Sequence, residues 1–542
     1  MKLNTIGLFV AVSLHALLTT AQTPGQTAMP IQAGKGIATV PTESGSVRGY
    51  IHNGTATFKG IPYAQAGRFM APEKPAPWTT VRSSTVYGPV CPIDAMSGTG
   101  ADDIEFAFQH NWGVTNENCL SLNVWTPQAT TAKKRPVMVW LHGGGFAMGS
   151  SMELPSYDGE NLAKKGDVVV VSVNHRLNVL GFLNLSAYGD KYKNSANAGL
   201  MDLVTALQWV KQNISQFGGD PANVTIFGQS GGGGKVTCLM NAPSAKGLFQ
   251  KAIVQSGSYV SSFMDQGVAR QVSAALLSEL NLQPTQVDSL QTIPYERLLA
   301  ASRKALQKVN ASAKASDRGT FGVTWGPIHD GNFLPYQPAD AAAIALSTQI
   351  PLLVGSTKTE FGPFNPANRA STMEQAKAIA QQRYGDRADA YLAAVKKDYP
   401  ETTLPADYIN IDTGFRAGAI QQAGQKAATG KAPVYMYLFT WSSPVNDGMY
   451  KSMHCMEMPF MFDNISRCEE MTGGSQEAHT LADKMSRAWI AFARTGNPNH
   501  KGLPNWPTYT AEGGATMLFD RNCQVKPHPD KDVLSAATGK SM

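Results

Sequence analysis

A chain of 542 residues with 43% hydrophobic and 16% charged side chains can bury a large core and lies far from the polar, charge-rich composition of disorder. Its net charge of +6 is spread along the chain without a block of five or more basic residues, which removes the electrostatic case for a nucleic-acid partner. With Gly 51 and Pro 32, the composition implies many loops between regular elements.

Met1-Lys2 is followed by an apolar run from about Ile6 to Leu18 and then by Thr19-Thr20-Ala21, small residues where a signal peptidase cuts. A spanning helix needs about 20 apolar residues. The run is shorter and reads as a signal peptide over 1–21, giving a secreted or periplasmic protein without stable membrane insertion. A Pro/Gly/Gln-rich lead-in follows over 22–36, and one domain is expected over 37–542.

Export makes the six cysteines candidates for disulfides. Cys91 and Cys119 bracket a polar loop. Cys455 and Cys468 are close in a second loop-rich region and are candidates for another bridge on proximity alone, while Cys238 lies in an apolar helical context as a buried thiol. No C-x2-C pair occurs, so no zinc site is expected.

Short apolar runs at 137–141 (VMVWL), 168–173 (VVVVSV), 223–227 (NVTIF), 252–255 (AIVQ) and 351–354 (PLLV) read as strands covered on both faces, as in a parallel sheet. Between them, 200–215 places Leu203, Leu207, Trp209 and Val210 at helical spacing. The alternation of strand and helix gives an α/β class.

Gly228-Gln229-Ser230-Gly231-Gly232 matches G-x-S-x-G, in which small neighbours let a serine occupy a sharp strand-to-helix turn. His142-Gly143-Gly144-Gly145-Phe146 follows directly on the strand at 137–141, the position from which an oxyanion hole draws backbone N–H donors. The phosphate loop G-x-x-x-x-G-K-[ST] is missing, and neither glycine cluster has the dinucleotide-binding pattern. A serine hydroxyl needs a histidine base, and the histidine a carboxylate, in the chain order serine, acid, histidine. Glu360 follows the strand at 351–354, and His454 lies downstream in SMHCMEMPFMF. His479, His500 and His528 also lie downstream, the first in a polar helix and the others in Pro-rich loops.

These motifs, with FKGIPYA at 58–64, ENCLSLNVWTP at 117–127, VNHRLNVLGFL at 173–183, FGGDPANVTIFGQS at 217–230, QSGS at 255–258, GPIHDGNFLP at 326–335 and AWIAFARTGNPN at 488–499, span nearly all of the expected mature chain. The chain resembles the type-B carboxylesterases, the family of cholinesterases, bacterial p-nitrobenzyl esterases and the non-enzymatic neuroligins. The resemblance implies an α/β-hydrolase fold, with a mostly parallel central sheet, helices on both faces and long loops forming an active-site gorge. It implies Ser230 as nucleophile, Glu360 as acid and His454 as base, with oxyanion-hole amides from Gly144, Gly145 and Gly231. It also implies the Cys91–Cys119 disulfide and two buried ion pairs, Arg68 with Glu117 and Arg176 with Asp202.

Two departures from the family bear on substrate. Cholinesterases carry a glutamate before the serine where this chain has Gln229, which removes a negative charge and disfavours a cationic choline ester. Cys455 replaces a common glycine after the histidine. Trp112, Phe146, Trp325 and Phe361 are aromatic candidates for the substrate pocket, together with Gln229.

The expected activity is hydrolysis of a small-molecule carboxylic ester, neutral aryl or medium-sized and hydrophobic, through an acyl-enzyme and without metal or organic cofactor. No sequence feature separates this from hydrolysis of a carbamate, an amide or a specialised xenobiotic or toxin ester by the same triad. A neuroligin-like binding protein would have lost the serine or histidine, and both are present.

Overall fold

The structure is a computed structural model that describes residues 31–93, 102–258, 262–314 and 322–540. The expected signal segment 1–21 and most of the lead-in lie outside the described residues.

One sheet of eleven strands organises the chain. In chain order these are β1 (Tyr50–His52), β2 (Thr55–Pro62), β3 (Ser121–Thr126), β4 (Arg135–Leu141), β5 (Val169–Val173), β6 (Gly219–Gln229), β7 (Lys251–Gln255), β8 (Leu352–Thr357), β9 (Val434–Phe439), β10 (Ala515–Phe519) and β11 (Gln524–Pro527). Their order across the sheet is β11-β10-β9-β8-β7-β6-β4-β5-β3-β2-β1. Neighbours from β10 through β5 run parallel, whereas the pairs β5–β3, β3–β2, β2–β1 and β10–β11 are antiparallel. All five strands expected from the apolar runs are present, and β6 begins earlier, at Gly219.

Both faces of the parallel strands are buried, as their unbroken apolar runs require. Alternate residues of β4 separate the two cores: Val137, Val139 and Leu141 join a cluster with Leu203, Leu207 and Val236, and Met138 and Trp140 join one with Met485, Trp489 and Phe492. The first face is covered by α1 (Ala198–Asn213), α2 (Gly231–Met240) and α3 (Phe415–Ala427), and the second by α4 (Gln476–Thr495). This is the α/β-hydrolase fold. Its parallel strands deliver their carboxyl ends to one edge, where the loops after β4, β6, β8 and β9 meet.

Cys91 and Cys119 are joined as expected. Cys455 and Cys468 are not: both thiols are free. The Cys455 thiol instead donates to Gln229 Oε1 at 3.2 Å, while Cys468 is buried in the core beneath α4. Cys238 is a buried free thiol, as read from its context. Arg176 meets Asp202 through Nε–Oδ2 at 2.8 Å and Nη2–Oδ1 at 2.6 Å, with both side chains buried. Arg68 also pairs with Glu117, but with Arg68 12% and Glu117 36% exposed this pair is only partly buried.

Candidate active site

Ser230 stands between β6 and α2 with φ 56° and ψ −126°, a left-handed conformation rare for a side-chain-bearing residue and held here by its surroundings. Its N–H donates to Gln255 O at 2.8 Å and its carbonyl accepts from Gly234 N at 3.0 Å, so both peptide ends are fixed. The glycines beside it let backbones approach closely. A Cβ on Gly232 would stand 2.0 Å from Leu141 O, and one on Gly231 would stand 2.1 Å from Gly145 O. The second contact places the start of α2 directly against the glycine loop that follows β4. In that loop Gly144 and Gly145 both have positive φ, and among the described residues no protein acceptor takes either N–H. Gly231, as the first residue of α2, has an N–H without an intrahelical acceptor. The three expected oxyanion donors therefore belong to two segments in contact.

Glu360 follows β8 and His454 follows β9, separated by 94 residues and brought together by the parallel pairing of those strands. His454 Nδ1 is hydrogen-bonded to Glu360 Oε2. The backbones are linked as well, His454 N donating to Glu360 O at 2.9 Å. Glu360 Oε1 accepts from Ser256 Oγ at 2.7 Å and from Thr357 N at 2.9 Å. With both oxygens engaged and 1% exposure, the carboxylate is fixed in orientation and can stabilise an imidazolium. His500 and His528 are instead hydrogen-bonded to the carbonyls of Lys484 and Glu512, and His479 lies on α4.

Gln229 is fully buried, and its amide Nε2 lies 3.2 Å from His454 Nε2 and 3.4 Å from Nδ1. It is a neighbour of the imidazole rather than a wall of an open pocket. Among the aromatic candidates, Phe361 reaches the site. Its ring stacks on His454 with centroids 4.1 Å apart, and it is 49% exposed. Phe415, which the sequence did not single out, lies 5.4 Å from His454 and 5.7 Å from Phe361. Phe146 is buried edge-on against Phe182 at 5.3 Å. Trp325 packs into the core on the α1 face. Trp112 stacks on His110 at 4.5 Å in the disulfide-closed loop.

Three polar residues of the site were not picked out as functional in the sequence. Ser256 and Glu457 sit inside the quoted runs QSGS and SMHCMEMPF, where nothing local marks a role. Glu457 is fully buried and pushed up to about 8, first by burial and then by the field of Glu360, which keeps it protonated beside a charged carboxylate at neutral pH. Lys235, in the run GGGGKV, is also fully buried. Among the described residues no group of three or more His, Cys, Asp or Glu is arranged to hold a metal ion, and no helix is long and apolar enough to cross a membrane.

A serine on a strained strand-to-helix turn, a buried histidine–carboxylate pair and a facing loop of free backbone donors define a serine-hydrolase site on an α/β-hydrolase scaffold. The chain belongs to the carboxylesterase family, whose model matches residues 37–536. It is 37% identical over 500 residues to the para-nitrobenzyl esterase of Bacillus subtilis (strain 168), covering 91% of this chain and 97% of that protein. It is 32% identical to the phenmedipham hydrolase of Pseudarthrobacter oxydans over 89% of this chain and 95% of that one. The solved structure of an esterase from Clostridium hathewayi, described as able to hydrolyse aliphatic aromatic polyesters, superposes with a TM-score of 0.84 at 37% identity, covering 95% of this chain and all of that one. The protein is a carboxylic ester hydrolase of the serine type.

Proposed function

We propose that the protein hydrolyses neutral aryl or medium-sized hydrophobic esters with Ser230 as nucleophile, His454 as general base and acid, and Glu360 as the carboxylate that orients it. His454 takes the Ser230 proton as Oγ attacks the ester carbonyl. The N–H groups of Gly144, Gly145 and Gly231 receive the oxyanion. His454 then returns the proton to the leaving alcohol, and water activated by the same imidazole releases the acid and restores Ser230.

The observation that carries the substrate class is Phe361, stacked on the base and half-exposed, which leaves aromatic surface accessible next to His454. The uncharged Gln229 next to His454 leaves no carboxylate at that position to attract a cationic alcohol. The expected signal segment 1–21 supports export, with a mature N-terminus near Gln22.

The test is a matched panel of phenyl, p-nitrophenyl, hexyl and choline butyrates, with p-nitroanilide and carbamate analogues, on the wild type and Phe361→Ala. The expected order places aryl esters first and choline last, with the aryl advantage over hexyl reduced several-fold in Phe361→Ala. An unchanged aryl-to-alkyl ratio in that variant would remove Phe361 from substrate recognition.

A further inference from the structure

Lys235 lies on the second turn of α2, behind the glycine loop, with 0% exposure. Among the described residues no carboxylate lies within ion-pair distance of its ammonium. Nζ instead donates to His142 O at 2.9 Å and to Gly143 O at 3.4 Å, and it stands 5.6 Å from the Phe146 ring centroid. A buried charge without a close counter-ion is costly unless its hydrogen bonds repay the lost water. Here they are directed to two successive carbonyls of a catalytic loop. The carbonyl of Gly143 and the N–H of Gly144 are the two ends of one peptide group. A cation at the oxygen end withdraws electron density from the nitrogen end and strengthens its N–H as a donor.

We propose that Lys235 is a positioning residue of the oxyanion hole, fixing the His142–Gly145 loop from behind and polarising the Gly143–Gly144 peptide toward the negative charge that develops on the substrate carbonyl. This rests on the oxyanion role given above to Gly144. A preorganised positive charge in a water-poor interior acts on the transition state more than on the neutral ester, so its contribution belongs in kcat rather than KM.

The groups facing the ammonium are Glu153 and the stacked His142 and His175, with Cys238 on its own helix. Tyr157 OH donates to Glu153 at 3.1 Å. Burial pulls the ammonium down to about 7 against the opposing fields of Glu153 and Cys238, and burial raises Glu153 to about 7. Both histidines are held neutral, first by burial and then by Lys235 itself. Loss of the Lys235 proton as pH rises through this range removes the charge behind the loop.

The experiment compares wild type with Lys235→Met and Lys235→Gln on p-nitrophenyl butyrate. Rates are normalised to sites counted by end-point titration with diethyl p-nitrophenyl phosphate, and affinity is measured for an alkyl trifluoromethyl ketone. The expected result is a fall in kcat per site of about tenfold or more, KM within about twofold, and a matching loss of ketone affinity. A kcat per site within twofold of wild type, or a loss confined to KM, would overturn the proposal. If neither variant folds, the wild-type pH profile decides. A kcat that declines from pH 7 to 9 at constant KM supports it, and a level kcat over that range refutes it. A wild type that neither turns over esters nor reacts with the phosphate would instead refute the esterase reading beneath it.

Discussion

The Ser256 hydroxyl donates at 2.7 Å to Glu360 Oε1, on the same carboxylate whose Oε2 is held by His454. The orientation of the imidazole is thus tied, through Glu360, to a hydroxyl on the neighbouring strand end. A hydrogen bond to a charged group is worth about 1.5–3 kcal/mol. Ser256→Ala is therefore expected to lower kcat/KM for p-nitrophenyl butyrate by about tenfold or more, with KM little changed, and Ser256→Thr to restore most of it. Steady-state kinetics of the two variants check this.

The protonated state of Glu457 has a consequence for stability. Its folded-state pKa is raised, to about 8, so between the ordinary carboxylate range and pH 8 the native state holds a proton that the unfolded state has lost, and stability falls as pH rises through that window. Glu457→Gln removes the titrating group. Relative to wild type, this variant should gain stability on going from pH 5 to 8, with a slope of up to about 1.4 kcal/mol per pH unit. Denaturant melts at several pH values measure the difference, and parallel curves would contradict a buried neutral carboxyl.

The contact between Gly231 and Gly145 O leaves no room for a methyl group. Gly231→Ala must displace the glycine loop and is expected to cost about 10²-fold in kcat, the scale of losing one oxyanion donor, while the protein remains folded. Gly232→Ala meets Leu141 O, at the end of a central strand, and should act on stability by about 1–3 kcal/mol. Thermal melts beside kinetics separate the two outcomes.

Thiol counting tests the cysteine assignment. Alkylation in denaturant without reductant should modify four cysteines, Cys238, Cys455, Cys468 and Cys523, and after reduction all six. Two labels before reduction would restore a second bridge.

The parts of this fold legible in the sequence are those with the strongest local pattern. The runs around Val139, Val171 and Ile253 are apolar on both faces and therefore announce central parallel strands. The edge strands, such as Tyr50–His52 and Gln524–Pro527, are short and half polar and carry no such signal. Ser230 and the Gly143–Gly145 loop were readable because the chemistry of a tight turn restricts residue types. Pairing Glu360 with His454 required the family resemblance, since their meeting depends on strand order rather than spacing. The Cys455–Cys468 expectation failed because proximity along the chain does not fix where a thiol points. Lys235, Glu457 and the buried Arg416–Asp530 pair were missed because an isolated charged residue reads as surface unless its partners are known.

In the proposed mechanism Ser230 is acylated by an ester and relieved by water. Hydrolysis of p-nitrophenyl butyrate by wild type and Ser230→Ala, at matched folded concentration, tests that step. Turnover by the wild type with a loss of at least about 10³-fold in the variant is expected. A Ser230→Ala protein that retains wild-type turnover would contradict it.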